Sequence, residues 1–149
     1  MTYFMEKTVD QPFIADSSAL VSLIDENDHN HKEAVKVAEK LREASRPIIL
    51  PFDVFVETIN VLGKKFGHDT AMKAARYLLS SDSEFLLRET KQYLITALNK
   101  FDVQAPAVSL TDCIIMAVAD DYGTKEIFGF DKQFQDAGYH RLTPSTKWV

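Results

Sequence analysis

The sequence predicts an α/β protein in which a parallel sheet of about five strands is covered by helices on both faces. Two features carry this expectation. Short strand-like runs (Phe13–Ala15, Ile48–Leu50, Lys125–Phe130) alternate along the chain with longer segments of helical periodicity. Two of these runs also lead straight into an acid that opens the next helix, where open α/β sheets place their ligand-binding groups.

In chain order, the strand Phe13–Ala15 runs into Asp16, and an apolar run from Ala19 begins a helix ending near Asp25. Glu26-Asn27-Asp28 reads as a polar turn, and His29 and His31 belong to that solvated turn rather than to a metal site. A second helix, His31–Ala44, places Ala34, Val37, Ala38 and Leu41 on one face. Ile48–Leu50 is a buried strand between prolines, which sheets tolerate at strand ends. The third helix, Asp53–Phe66, carries an apolar stripe of Phe55, Ile59, Leu62 and Phe66, with Asp53, Glu57, Asn60 and Lys64 on another face. Gly67 caps it, and a fourth helix follows over Asp69–Leu79. Glu84–Arg88 is read as a strand, Thr90–Phe101 as a helix and Val103–Leu110 as a loop. A helix over Thr111–Tyr122 stops at Gly123. The strand Lys125–Phe130 ends on Asp131, and a helical turn over Lys132–Ala137 and a strand at His140–Leu142 close the fold.

The 149 residues suit one domain, 1–149, with residues 1–11 as a flexible tail that lacks the apolar core of a signal peptide. No apolar run reaches the length of a membrane span. The single Cys113 excludes an intrachain disulfide or a multi-cysteine metal site and predicts an intracellular, cytoplasmic location. A net charge of −5 opposes coating of nucleic acid by bulk positive charge. Four carboxylates gathered around cations would account for nearly all of that excess.

Four acids stand out. Asp16 and Asp131 follow strands whose C-terminal ends share one edge of a parallel sheet. Each could be a plain helix cap. Asp112 opens Cys113–Ala119, a run apolar on every face, and a carboxylate beside such a helix is costly unless paired or bound to a cation. The helix dipole with Ser109 or Thr111 as cap explains its charge but not its buried company. Glu57 has the weakest case, since a solvated helix face accounts for it equally well; Asn60 and Lys64 on the same stripe could hold it and contact a phosphate. Several carboxylates with no catalytic His, Cys or Ser constellation suit hard divalent cations and metal-dependent phosphoryl chemistry.

The order Asp16 (in F-I-A-D-S-S-A-L), Glu57 (in V-F-V-E-T-I-N-V-L), Asp112 (in S-L-T-D-C-I-I-M-A) and Asp131 (in F-G-F-D-K-Q-F) resembles the PIN-domain nucleases. Within them the chain is most similar to the compact VapC-type toxins of bacterial and archaeal toxin–antitoxin modules, over Phe13 to Leu142. The resemblance implies that Asp16, Glu57, Asp112 and Asp131 bind Mg²⁺ or Mn²⁺. Ser17 and Ser109 then correspond to the small polar residues beside the first and third acids. It further implies endonucleolytic cleavage of RNA, a homodimer and an antitoxin partner. One departure is Gly129, two residues before the last acid, where the family commonly has Thr or Ser.

Lys64, Lys65, Lys73 and Arg76 form a candidate RNA-binding patch outside the acidic crevice. The apolar residues of the third and fourth helices (Phe55, Ile59, Leu62 and Phe66, then Met72, Ala75, Leu78 and Leu79) are candidates for the dimer face. Three competing readings differ in what they predict. A housekeeping PIN nuclease in RNA processing has no antitoxin, and a catalytically weak PIN scaffold binds RNA or protein without cutting. A metal-dependent phosphatase on another α/β fold hydrolyses small phosphoesters.

Overall fold

The computed structural model of the chain describes residues 11–146 and residue 148. Apart from Gln11, the tail expected over residues 1–11 lies outside them. The elements follow in the order β1 (Phe13–Ala15), α1 (Ser17–Ile24), α2 (His31–Ala44), β2 (Ile48–Pro51), α3 (Phe52–Phe66), α4 (His68–Leu79) and β3 (Phe85–Arg88). A 3₁₀ turn (Lys91–Tyr93) leads into α5 (Leu94–Asp102), then α6 (Leu110–Tyr122), β4 (Glu126–Phe128), α7 (Lys132–Asp136) and β5 (His140–Arg141). The five strands form one all-parallel sheet in the order β3-β2-β1-β4-β5. The α/β architecture expected from the sequence is therefore the observed one.

The strand order locates the site. From β1 the chain first winds outward through β2 and β3, then returns to place β4 on the other side of β1. The C-terminal ends of β1 and β4 thus border the switch point, where crossovers on either side leave an open crevice. Phe13, Ile14, Ile48, Ile49 and Ile127 are fully buried, so the sheet's centre is core on both faces. Helix α6 lies against β1 with every residue from Asp112 to Ala119 buried, as its all-round apolar pattern requires. Gly123 ends that helix at φ +70°, a left-handed position that glycine occupies without a Cβ penalty.

Two local expectations need correction. The buried face of α3 is Val54, Thr58 and Leu62, one residue round the helix from the predicted stripe. Phe55 and Ile59 are half-buried against the core, and Phe66 is exposed. Thr58 hid this face in the sequence, because its hydroxyl donates to Val54 O at 2.7 Å and so satisfies itself inside the core. The helix predicted over Thr90–Phe101 starts instead as a 3₁₀ turn. The Thr90 hydroxyl donates to the Asp53 carboxylate rather than capping the helix.

The packing of α3 on α4 also changes the surface available for association. Leu62, Ala75 and Leu78 are buried, while Phe66, Met72 and Leu79 remain exposed. Leu62→Ala should therefore destabilise the fold by about 2–5 kcal/mol, as buried Leu truncations do. Phe66→Ala should cost less than about 1 kcal/mol, in the range of surface changes. Chemical denaturation of both variants checks the rotated face; equal losses would restore the stripe read from periodicity.

Candidate metal centre

Three of the four predicted acids meet at the switch point. Asp16, Asp112 and Asp131 each offer a carboxylate oxygen, and these oxygens lie within 4.8 Å of one another. Each is held by the start of a helix. Asp16 follows β1 and caps α1, with its Oδ2 accepting from Ser18 N–H at 3.4 Å and from the Ser18 hydroxyl at 2.7 Å. Asp112 is the third residue of α6 and closes a capping box with Ser109. Its Oδ2 accepts from Ser109 N–H at 3.0 Å, and Ser109 Oγ accepts from Asp112 N–H at 3.0 Å. Asp131 precedes α7, yet its carboxylate makes no capping hydrogen bond there. It is exposed, whereas Asp16 and Asp112 are buried.

Glu57 projects from α3 and is exposed, and it reaches this group through Ser17, whose hydroxyl donates to Glu57 Oε2. The two serines flagged beside the acids, Ser17 and Ser109, therefore both bond one of them. Asn60 and Lys64 make no ion pair with Asp16, Asp112 or Asp131. With Glu57, Val56 and Thr111 they line an open groove of about 390 Å³ beside the cluster. Lys65 is spent on an ion pair with the buried Asp25, and Lys73 and Arg76 are exposed on α4. The larger cavity of about 660 Å³, between Arg88, Tyr93 and Asp120, contains none of the four acids.

Two contributors were missed in the sequence. Gln133, on α7, donates from Nε2 to Asp112 Oδ2 at 3.2 Å, so the helix after Asp131 also steadies Asp112. Ser18 bonds Asp16 and also accepts from Phe130 N–H at 2.9 Å, tying the end of β4 to the start of α1. The D-S-S run was visible, but nothing local distinguished a bridging second serine from an ordinary helix-start residue.

Like charges this close resist ionisation together. Burial pushes the Asp16 carboxyl up to about 7, against the lowering effect of the Ser18 hydrogen bond, and the charges of Asp131 and Asp112 add to the rise. Asp131 is raised too, first by desolvation; the hydrogen bond from Asp16 opposes that rise, and Asp112 and Glu57 augment it. Without a cation, Asp16 and Asp131 are thus the carboxyls of the cluster that take up a proton most readily.

The donor set fits a hard divalent cation. All of its donors are oxygen, which selects ions of the Mg²⁺ and Mn²⁺ kind over softer metals. Two oxygens on one octahedral ion at about 2.1 Å sit about 3–4.2 Å apart, so a cluster within 4.8 Å needs only a small inward turn of its side chains.

The PIN domain family model matches residues 13–138. The chain belongs to the PIN domain family. The structure is also similar to the crystal structure of Mycobacterium tuberculosis VapC20, described as a sarcin–ricin-loop-cleaving toxin. The TM-score is 0.73 at 23% identity, over 89% of this chain and 99% of that one. Comparison with curated proteins gives no significant match. Among PIN domains, the position two residues before the last acid is glycine here, and the space around it explains why: a Cβ on Gly129 would lie 2.8 Å from Asp16 Cβ.

The raised Asp16 carboxyl gives stability a sign with pH. Between its unfolded value of 3.8 and about 7 the folded chain holds the proton more tightly, so this group's contribution is present at low pH and lost as pH rises. In EDTA, Asp16→Asn should be more stable than wild type at pH 8, and the gap should narrow steadily as pH falls through 5 toward about 4. Thermal unfolding of the two proteins across that range measures it; a gap that does not change with pH would mean that Asp16 titrates normally.

Proposed function

We propose that the chain is a divalent-cation-dependent endoribonuclease, acting as the toxin of a toxin–antitoxin pair in the cytoplasm. The observation that carries this reading is the three-carboxylate cluster, with Asp16 buried and resisting ionisation, at the open edge of a PIN domain. The similarity to VapC20 supports the choice of RNA as substrate and of an antitoxin as partner.

In this reading Asp16, Asp112 and Asp131 hold Mg²⁺ or Mn²⁺, with Glu57 completing the set from the exposed side. A cation bound there supplies neutralisation of phosphodiester charge and a water of lowered pKa. The protein's own residues do the rest. Ser109 and Gln133 fix Asp112, and Ser17 turns Glu57 toward the cluster. Asn60 and Lys64 offer a donor and a positive charge along the adjoining groove, where the strand on either side of the scissile bond would run. Because its carboxyl resists ionisation, Asp16 would have to be deprotonated to hold a cation, so loading should be favoured at higher pH.

A homodimer belongs to the same reading. The apolar surface best placed for it is α5, which exposes Leu94, Ile95, Leu98 and Phe101 and buries only Ala97. Of the α3 and α4 residues expected from the sequence, Leu62, Ala75 and Leu78 are buried within the fold, whereas Phe66, Met72 and Leu79 remain exposed.

The test is cleavage of total RNA by purified protein with Mg²⁺, with Mn²⁺ and with EDTA, beside Asp112→Asn. Wild type should cut internally with either ion and not in EDTA, and Asp112→Asn should lose activity by orders of magnitude. Cleavage that survives EDTA, or survives the substitution, would overturn the proposal.

A further inference from the structure

Just past the paired residues of β1 and β4 there is no room for a side chain at residue 129. The ladder pairs Ile14 with Ile127 and Ala15 with Phe128, and Asp16 N–H extends it by donating to Phe128 O at 2.9 Å. The next step places Asp16 opposite Gly129. There a Cβ on residue 129 would lie 2.8 Å from Asp16 Cβ, 3.2 Å from Asp16 Oδ2 and 3.4 Å from Ser18 Oγ. The nearest of these atoms is Cβ, fixed to the backbone, so it cannot swing aside like the end of a long side chain. Glycine is needed here for space.

Beyond Gly129 the ladder has no backbone partner for Phe130 N–H. The Ser18 hydroxyl takes that place, accepting from Phe130 N–H at 2.9 Å and donating to Asp16 Oδ2 at 2.7 Å. One hydroxyl thus uses the end of β4 as an anchor and donates its own hydrogen bond to Asp16. The amide hydrogen takes one of the hydroxyl's lone pairs and leaves its single O–H for the carboxylate. A Thr or Ser side chain at 129 would have to enter the volume that Asp16 and Ser18 already fill.

We propose that Ser18 and Gly129 act together as the positioning pair for Asp16: Gly129 admits the carboxylate against β4, and Ser18 locks its Oδ2 edge so that Oδ1 is presented to the cation. This rests on the metal-dependent reading above.

The experiment is calorimetric titration of the intact protein with Mn²⁺ alone, accompanied by unfolding in EDTA, for wild type, Ser18→Ala, Ser18→Thr, Gly129→Ala and Asp112→Asn. Loss of an outer hydrogen bond to a ligating carboxylate should raise the Mn²⁺ dissociation constant of Ser18→Ala by about 10–100-fold. Ser18→Thr, which keeps the hydroxyl, should bind close to wild type. Gly129→Ala should bind more weakly, by displacing Asp16 from the other side. Combined with Ser18→Ala it should cost less than the product of the two single effects, because both act through one carboxylate. At saturating Mn²⁺ the KM for RNA should be unchanged in Ser18→Ala.

Unaltered Mn²⁺ binding in Ser18→Ala would overturn the pair. So would equal weakening in Ser18→Ala and Ser18→Thr. If Ser18→Ala does not fold, Gly129→Ala decides: wild-type affinity in that variant overturns the proposal. Weakened binding in Asp112→Asn with intact binding in Ser18→Ala removes only this pair, whereas wild type that binds no Mn²⁺ removes the nuclease reading with it.

Discussion

Mutual repulsion among Asp16, Asp112 and Asp131 is the constraint around which the rest of the crevice is arranged. Their oxygens lie within 4.8 Å of one another, and burial of Asp16 pushes its carboxyl up to about 7. Two unit charges 4 Å apart at an effective dielectric of 20 repel by about 4 kcal/mol. A fold that keeps such a cluster must hold it from outside. Here Ser18, Ser109 and Gln133 all donate hydrogen bonds into it.

The sheet supplies the geometry that makes the cluster possible. With β1 between β2 and β4, the chain ends of β1 and β4 emerge side by side, and each passes at once into a helix. The start of α6 is brought to the same edge by packing against β1. Two of the three acids double as helix-terminal residues, Asp16 as a cap and Asp112 in its capping box. Helix starts suit carboxylates, since free N–H groups and the dipole favour negative charge there. Capping and ligation are therefore not rival explanations for these two residues. The same hydrogen bonds that begin each helix also aim its acid.

This overlap explains what could be read from the sequence and what could not. Asp16 and Asp131 were legible because a strand-acid-helix junction is a local pattern, and Asp112 because an all-apolar helix leaves its acid without solvent. Glu57 stood out only through the family resemblance, since the polar stripe it shares with Asp53, Asn60 and Lys64 reads equally well as a solvated helix face; its tie to Ser17 spans 40 residues. Ser18 and Gln133 act through contacts 112 and 21 residues away in the chain, which no local spacing encodes. Gly129 stood out as a departure from the family pattern, and its cause appeared only when β4 was seen pressed against Asp16. On α3 the helix was legible but its buried face was misplaced, because Thr58 counts as polar in a pattern while satisfying its hydroxyl on its own backbone.

The central claim is that the three carboxylates form a cation site and not merely three adjoining helix starts. A crystal of the protein soaked in Mn²⁺, with anomalous scattering recorded for that ion, addresses it directly. The account predicts an anomalous peak at about 2 Å from oxygens of Asp16, Asp112 and Asp131. No peak among these residues at saturating Mn²⁺, or a peak only at other surface acids, would contradict it.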